Sequence, residues 1–227
     1  MSWLEVISVI SIGIGIFQAI IITVDIIRHP QKMMPIMNIV WPLTGLYFPI
    51  IGMWAYYRMG RDKGRSNHKD QHQHDNHHKK PFWQSAFVST THCSSGCSLG
   101  DVAGVPIVAF TGFTIGGVML YGKFLVQFTL AYIFGIAFQY YGMGMNTREN
   151  FKEGIKNAIK ADTLALISFE IGMFGWMALV HFVFFTQPPE PTTAVYWFMM
   201  QLAMMLGFCT SYPANWLLVI KGVKHAM

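Results

Sequence analysis

The residues best suited to chemistry lie in the segment Thr91 to Asp101, THCSSGCSLGD. Cys93, Cys97 and Asp101 recur every four positions, so on a helix they share one face, with His92 one residue further round. Thiolate and imidazole suit Cu(I) or Zn, and a thiol gives up its proton readily beside a cation. Cysteine is also a small, weakly apolar core residue, so plain helix packing is the competing reading. Gly96, Gly100 and Gly104 form a second stripe in the same register, a small-xxx-small run that lets a neighbouring helix approach closely.

A second candidate set falls on a single helical seam made of Glu170, Met173, Met177 and His181, which descends over about 16 Å at 1.5 Å per residue. Methionines on a seam are ordinarily packing material. An ionisable group in a lipid-compatible stretch must instead be satisfied or used, which marks Glu170 and His181. Gln201, Met205 and Cys209 repeat the pattern at four-residue steps, with Met199, Met200 and Met204 nearby. They run into Tyr212-Pro213-Ala214-Asn215-Trp216, where proline is expected either to open the helix and free carbonyls or merely to kink it. The expected metal-ligating set is therefore His92, Cys93, Cys97, Asp101, Glu170, Met173, Met177, His181, Met205 and Cys209. Five of the nine histidines, His68, His72, His74, His77 and His78, crowd the tract HKDQHQHDNHH. Such a tract collects metal loosely, or is a polar linker whose imidazoles are incidental.

The elements that must position these groups are membrane helices. The 227 residues are 53% hydrophobic and only 12% charged, with a mean hydropathy of +0.38, which excludes an ordinary soluble domain. About 20 apolar residues cross a hydrocarbon core of about 30 Å. Six stretches qualify: Trp3 to Ile27, Ile36 to Tyr57, Val102 to Tyr121, Phe124 to Met145, Thr163 to Phe185 and Thr193 to Ile220. The first lacks a basic leader and a small-residue cleavage pattern, so it is expected to stay as a helix. Phe82 to Thr91 reads as an interfacial or re-entrant lead-in, and Asn146 to Asp162 as an amphipathic helix on the membrane surface. The expected fold is an all-α, polytopic transmembrane bundle in three parts: residues 1–57 with two spans, a His-rich soluble loop at 58–81, and a four-helix core at 82–227.

The formal charge of +5 lies in connections between spans, so it reports orientation and not affinity for nucleic acid. Arg58, Arg61, Lys63, Arg65, Lys69, Lys79 and Lys80 fill the second connection, and Arg148, Lys152, Lys156 and Lys160 the fourth. Gln187 to Pro191 carries no cation. The positive-inside rule then puts both termini in the cytoplasm, with Arg28 and Lys32 as a weaker contrary signal. Three cysteines make no disulfide framework. In this topology Cys93 and Cys97 fall near the cytoplasmic end of the third span, as free thiols in a reducing milieu.

THCSSGCSLGD, FQYYGM with the basic loop after it, KADTLALISFEIGMFGWM, and YWFMMQLAMMLGFCTSYPANW with the ending GVKHAM resemble a bacterial membrane family of the DUF4396 type, known only as a domain of unknown function. The resemblance runs from about Lys80 to the end. It implies that His92, Cys93, Gly96, Cys97, Asp101, Asp162, Glu170, Asn215 and Trp216 are motif members. It lends no such support to His181 and Cys209, and carries no activity with it. The resemblance also suggests a copper-handling context.

Three functions fit. The first is transport or handling of a soft or borderline metal, copper foremost, in the bacterial inner membrane; without a nucleotide-binding loop, transport would be passive or proton-coupled through Glu170. A membrane oxidoreductase or thiol enzyme is the second, although no CxxC motif and no Gly-x-Ser-x-Gly elbow is present. The third is a non-catalytic partner delivering metal to a cuproenzyme or receiving it from a metallochaperone.

Overall fold

The computed structural model describes residues 2–31, 34–61, 81–142 and 151–224, and these are helical apart from turns and one isolated bridge. The His-rich tract His68 to His78 lies outside the described residues. The helices are α1 (Trp3–Arg28), α2 (Met37–Tyr47), α3 (Ile51–Ala55, prolonged by a π turn at Tyr56–Gly60), α4 (Phe82–Thr111), α5 (Met119–Gly142), α6 (Phe151–Leu179, prolonged by a π turn at Val180–Phe184) and α7 (Ala194–Ile220). Five of them, α1, α4, α5, α6 and α7, are long and apolar enough to cross a membrane, which is compatible with an integral membrane protein. α4 packs most extensively on α5, and α6 on α7, while α1 leans on α2 and α7. The most buried helix is α4; α1 is the least, with Phe17, Ile20 and Ile27 turned outward, as a peripheral helix facing lipid requires.

α1 begins at a capping box in which the Ser2 hydroxyl accepts from the Glu5 backbone at 3.3 Å and the Glu5 carboxylate accepts from Ser2 N at 2.9 Å. The second span is broken, not continuous, at Phe48-Pro49-Ile50. Pro49 cannot donate to the helix ladder, and Ile50 takes the left-handed region at φ +69°. Backbone groups released in a membrane need partners, and Gln18 of α1 supplies them. Its amide donates to Phe48 O at 2.7 Å and to Gly45 O, and its carbonyl accepts from Ile50 N at 2.9 Å.

Three expected boundaries change. The third span begins at Phe82 instead of Val102 and stops at Gly112, which ends α4 in the left-handed conformation at φ +63°, a common helix stop for glycine. Residues Phe82 to Thr91 are thus its first turns and not an interfacial lead-in. Thr90, Thr91 and, one turn on, Ser94 donate to the carbonyls four residues back at 2.6–2.9 Å, so polar composition here does not prevent burial. The amphipathic stretch before Asp162 and the fifth span are one helix, because nothing in Lys160-Ala161-Asp162-Thr163 interrupts the ladder. Finally, α7 continues through Pro213 to Ile220, so the sixth span is not opened there.

The α4–α5 seam is a zipper of small residues. A Cβ on Gly96 would stand 2.9 Å from Gly135 Cα, one on Gly104 would meet Gln127 Cγ at 2.7 Å, and one on Gly100 would collide with the backbone of Leu130 and Ala131. Gln127, Ala131 and Gly135 are themselves four apart, so two matching stripes interlock and bring the backbones together.

Candidate functional site

α4 carries His92, Cys93, Cys97 and Asp101 into the centre of the bundle. All four are fully buried, and Cys93 lies about 16 Å along the helix from Phe82 at 1.5 Å per residue. The thiols are therefore deep in the span and not at its end. They lie within reach of one another, and Cys97 is within electrostatic reach of both Glu170 and Asp162 on α6. Gly135 of α5 lets Cys97, Asp162 and the Leu166 methyl pack close to its backbone: a Cβ there would stand 2.8 Å from Leu166 Cδ1 and 3.8 Å from both Cys97 Sγ and Asp162 Oδ2. Gly142 makes room for His92 in the same way, since a Cβ on it would fall 2.6 Å from His92 Nε2.

Many of these polar atoms lack partners among the described residues. Both ring nitrogens of His92, both carboxylate oxygens of Asp101, both of Glu170 and Oδ2 of Asp162 are buried without a hydrogen bond, as are the Ser89 and Ser98 hydroxyls. Asp101 and Glu170 lie within electrostatic reach of each other. Two carboxylates this close and this dry need a proton, a cation or water between them, because a bare buried charge is far more costly than a paired one.

One carboxylate in the region is paired. Lys224, beyond the end of α7, turns back into the bundle and donates to Asp162 Oδ1 at 2.7 Å and to Asn215 Oδ1 at 2.8 Å. Both charged side chains are wholly buried. Burial works against the Lys224 ammonium, but the Asp162 carboxylate, together with Cys93 and Cys97, outweighs it and holds the lysine above its ordinary pKa. Asn215 is itself oriented by α7, donating to Ser211 Oγ at 2.9 Å and to Ser211 O at 3.1 Å.

The remaining candidates divide. Met173 and Met177 are buried in the main core cluster with Met199, Met200 and Met204, and Met205 packs against its edge. Half-buried, His181 lines a small pocket at the far end of α6 with Lys123, Met177 and Tyr196. Cys209 is exposed on the outside of α7, away from the other two thiols, which corrects its expected place beside Cys93 and Cys97. Gln201, on the same stripe, serves packing: its amide donates to Leu46 O at 2.8 Å and its carbonyl accepts from Ser11 at 2.8 Å. Among the described residues, no three His, Cys, Asp or Glu side chains form a group that could hold a metal ion, so the long ligand set does not converge.

Sequence reasoning missed Lys224, Gly135 and Gly142 as parts of the site, and named Asp162 and Asn215 only through family resemblance. The four-residue spacing of Gln127, Ala131 and Gly135 was the available signal for the α5 stripe. Nothing comparable pointed to Lys224, which reads as one more cation near the chain end.

The family model described as a domain of unknown function, DUF4396, matches residues 82–224, more than half of the chain. No curated protein and no solved structure matches. The match covers α4 to α7 and ends on Lys224.

Proposed function

The chain belongs to the DUF4396 family, and we propose that it handles a soft transition-metal ion, Cu(I) foremost, inside the membrane, as a carrier or transporter. The observation that supports this most is that the buried thiol Cys97, with Cys93 one turn before it, and the unpartnered Asp162 Oδ2 both lie 3.8 Å from the Cβ position of Gly135. Two thiolates are enough for Cu(I), which accepts linear two-coordinate ligation and prefers sulfur. Zn, which wants four ligands, is the weaker candidate. His92, with both nitrogens free of hydrogen bonds, is the nearest further ligand.

Binding deprotonates the thiols, and those protons need acceptors. Asp101 and Glu170 lie within reach as a carboxylate pair that can take up or release a proton as the ion enters, giving a route for proton-coupled movement. The setting is the bacterial inner membrane with both termini cytoplasmic, and a metallochaperone or a cuproenzyme is the natural partner at either end.

The test is elemental analysis of purified protein followed by competition with a Cu(I) chelator. About one tightly held ion per chain is expected, lost by two orders of magnitude in affinity or more when both Cys93 and Cys97 become serine. Wild-type affinity in that double variant would overturn the reading. Cys209→Ser should leave the affinity unchanged.

A further inference from the structure

The last described residues do more than end the chain. At Gly222 the backbone enters the left-handed region at φ +65°, and the amides of Val223 and Lys224 both donate to Leu218 O, at 3.1 and 3.2 Å. The reversal folds the tail back along α7. Val223 packs on a small cluster made of Cys93, Ala165, Ala214 and Leu218, so the tail covers the cluster to which one of the two buried thiols belongs. Lys224 then reaches inward until its ammonium is sequestered between Asp162 and Asn215.

A lysine that gives up water to sit on a carboxylate beside two thiols occupies ground that a free cation would find attractive for the same reasons. Asp162 Oδ1 and Asn215 Oδ1 supply oxygen ligands, and Asp162 Oδ2 is left without a hydrogen bond. We propose that Val223 and Lys224 form a tethered plug: the Lys224 ammonium stands in a cation-binding position built by Asp162 and Asn215, and withdrawal of the tail opens that position and the Cys93–Cys97 chamber beside it. The tail thereby competes with the incoming ion for Asp162. The inference extends the copper reading to the access step, and its test contains no metal, so that either can fail alone.

The test is the rate at which N-ethylmaleimide modifies Cys93 and Cys97 in the full-length, detergent-solubilised protein carrying Cys209→Ser. In Lys224→Ala the rate should rise about tenfold or more, since the closed state loses its anchor. Propylammonium, which replaces the atoms removed from the side chain, should restore slow labelling, whereas choline at equal ionic strength should not. Gly222→Val keeps every buried side chain but penalises the left-handed turn, and should show the same acceleration and the same protection by propylammonium. In the double variant Asp162→Asn/Lys224→Met, no charge remains to recruit a cation, and propylammonium should have no effect. An unchanged labelling rate in both Lys224→Ala and Gly222→Val would overturn the plug. Fast labelling that propylammonium does not slow would overturn the cation-binding position.

Discussion

Asp162 and the Asp101–Glu170 pair are carboxylates of the same bundle at nearly equal burial, yet one is matched and the others are bare. Asp162 has a lysine at 2.7 Å and an asparagine sharing that lysine; Asp101 and Glu170 have no hydrogen-bond partner among the described residues and lie within electrostatic reach of each other. Asp25, at the end of α1, shows what ordinary satisfaction looks like in this molecule. It accepts from Tyr56 at 2.8 Å and from Arg61 at 3.1 Å, at the margin of the fold where water helps. A carboxylate with a fixed counter-ion is part of the architecture. One without it, deep in a bundle, needs a proton, a cation or water beside it to be tolerated there.

The comparison breaks most visibly at Lys224. Removing one partner of a buried pair leaves an uncompensated charge, so Lys224→Ala should lose about 3–5 kcal/mol of stability, and Asp162→Asn/Lys224→Met should recover most of it. Unfolding in detergent, followed by circular dichroism, measures both; a Lys224→Ala protein as stable as wild type would mean that Asp162 is no more dependent on its partner than Asp101.

Next in size is the seam that holds Asp101 in place. Gly100→Ala pushes a methyl group into the backbone of Ala131 and should cost about 1–3 kcal/mol by overpacking. Gly175, with open space around its Cα, is the control. Alanine there should gain up to about 1 kcal/mol from helix propensity. Similar melting temperatures for the two variants would show that α4 and α5 are not locked at Gly100.

The smallest effect on stability belongs to the bare pair. Asp101→Asn and Glu170→Gln remove no hydrogen bond found here, so each should shift stability by less than about 1 kcal/mol. Function should respond instead. Proton release on adding Cu(I) in weak buffer should fall in Glu170→Gln relative to wild type. Undiminished release would make Cys93 and Cys97 the proton source and return Glu170 to a packing role.

How far the sequence could be read depended on whether the decisive partner was local. The stripes on α4 were legible because a four-residue repeat is a property of one helix, whatever surrounds it. The start of α4 was not, since Thr90, Thr91 and Ser94 look hydrophilic until their hydroxyls are seen bonding the preceding turn. Pro213 left two readings open, a broken helix or a kinked one: a proline costs a helix one donor, and α7 runs through it to Ile220. Pro49 does break its span, and the difference rests on Gln18, a residue from another helix that accepts and donates at the break.

By itself the sequence determined that this is an all-helical, membrane-compatible chain, because the length and apolarity of a span are additive along the backbone. It also determined that Cys93, Cys97 and Asp101 share a face, and that Glu170 must be used or satisfied. Only the tertiary structure decided which groups meet. Cys209 repeats the sulfur pattern but is turned outward, and His181 ends its seam in a separate pocket. Asp162, Asn215 and Lys224, which share no sequence period, come together in one buried contact. Periodicity fixes the direction of a side chain on its own helix. What stands opposite is set by how closely helices can approach, here by the glycines of α4 and α5, and by where residues 221–224 turn back after α7.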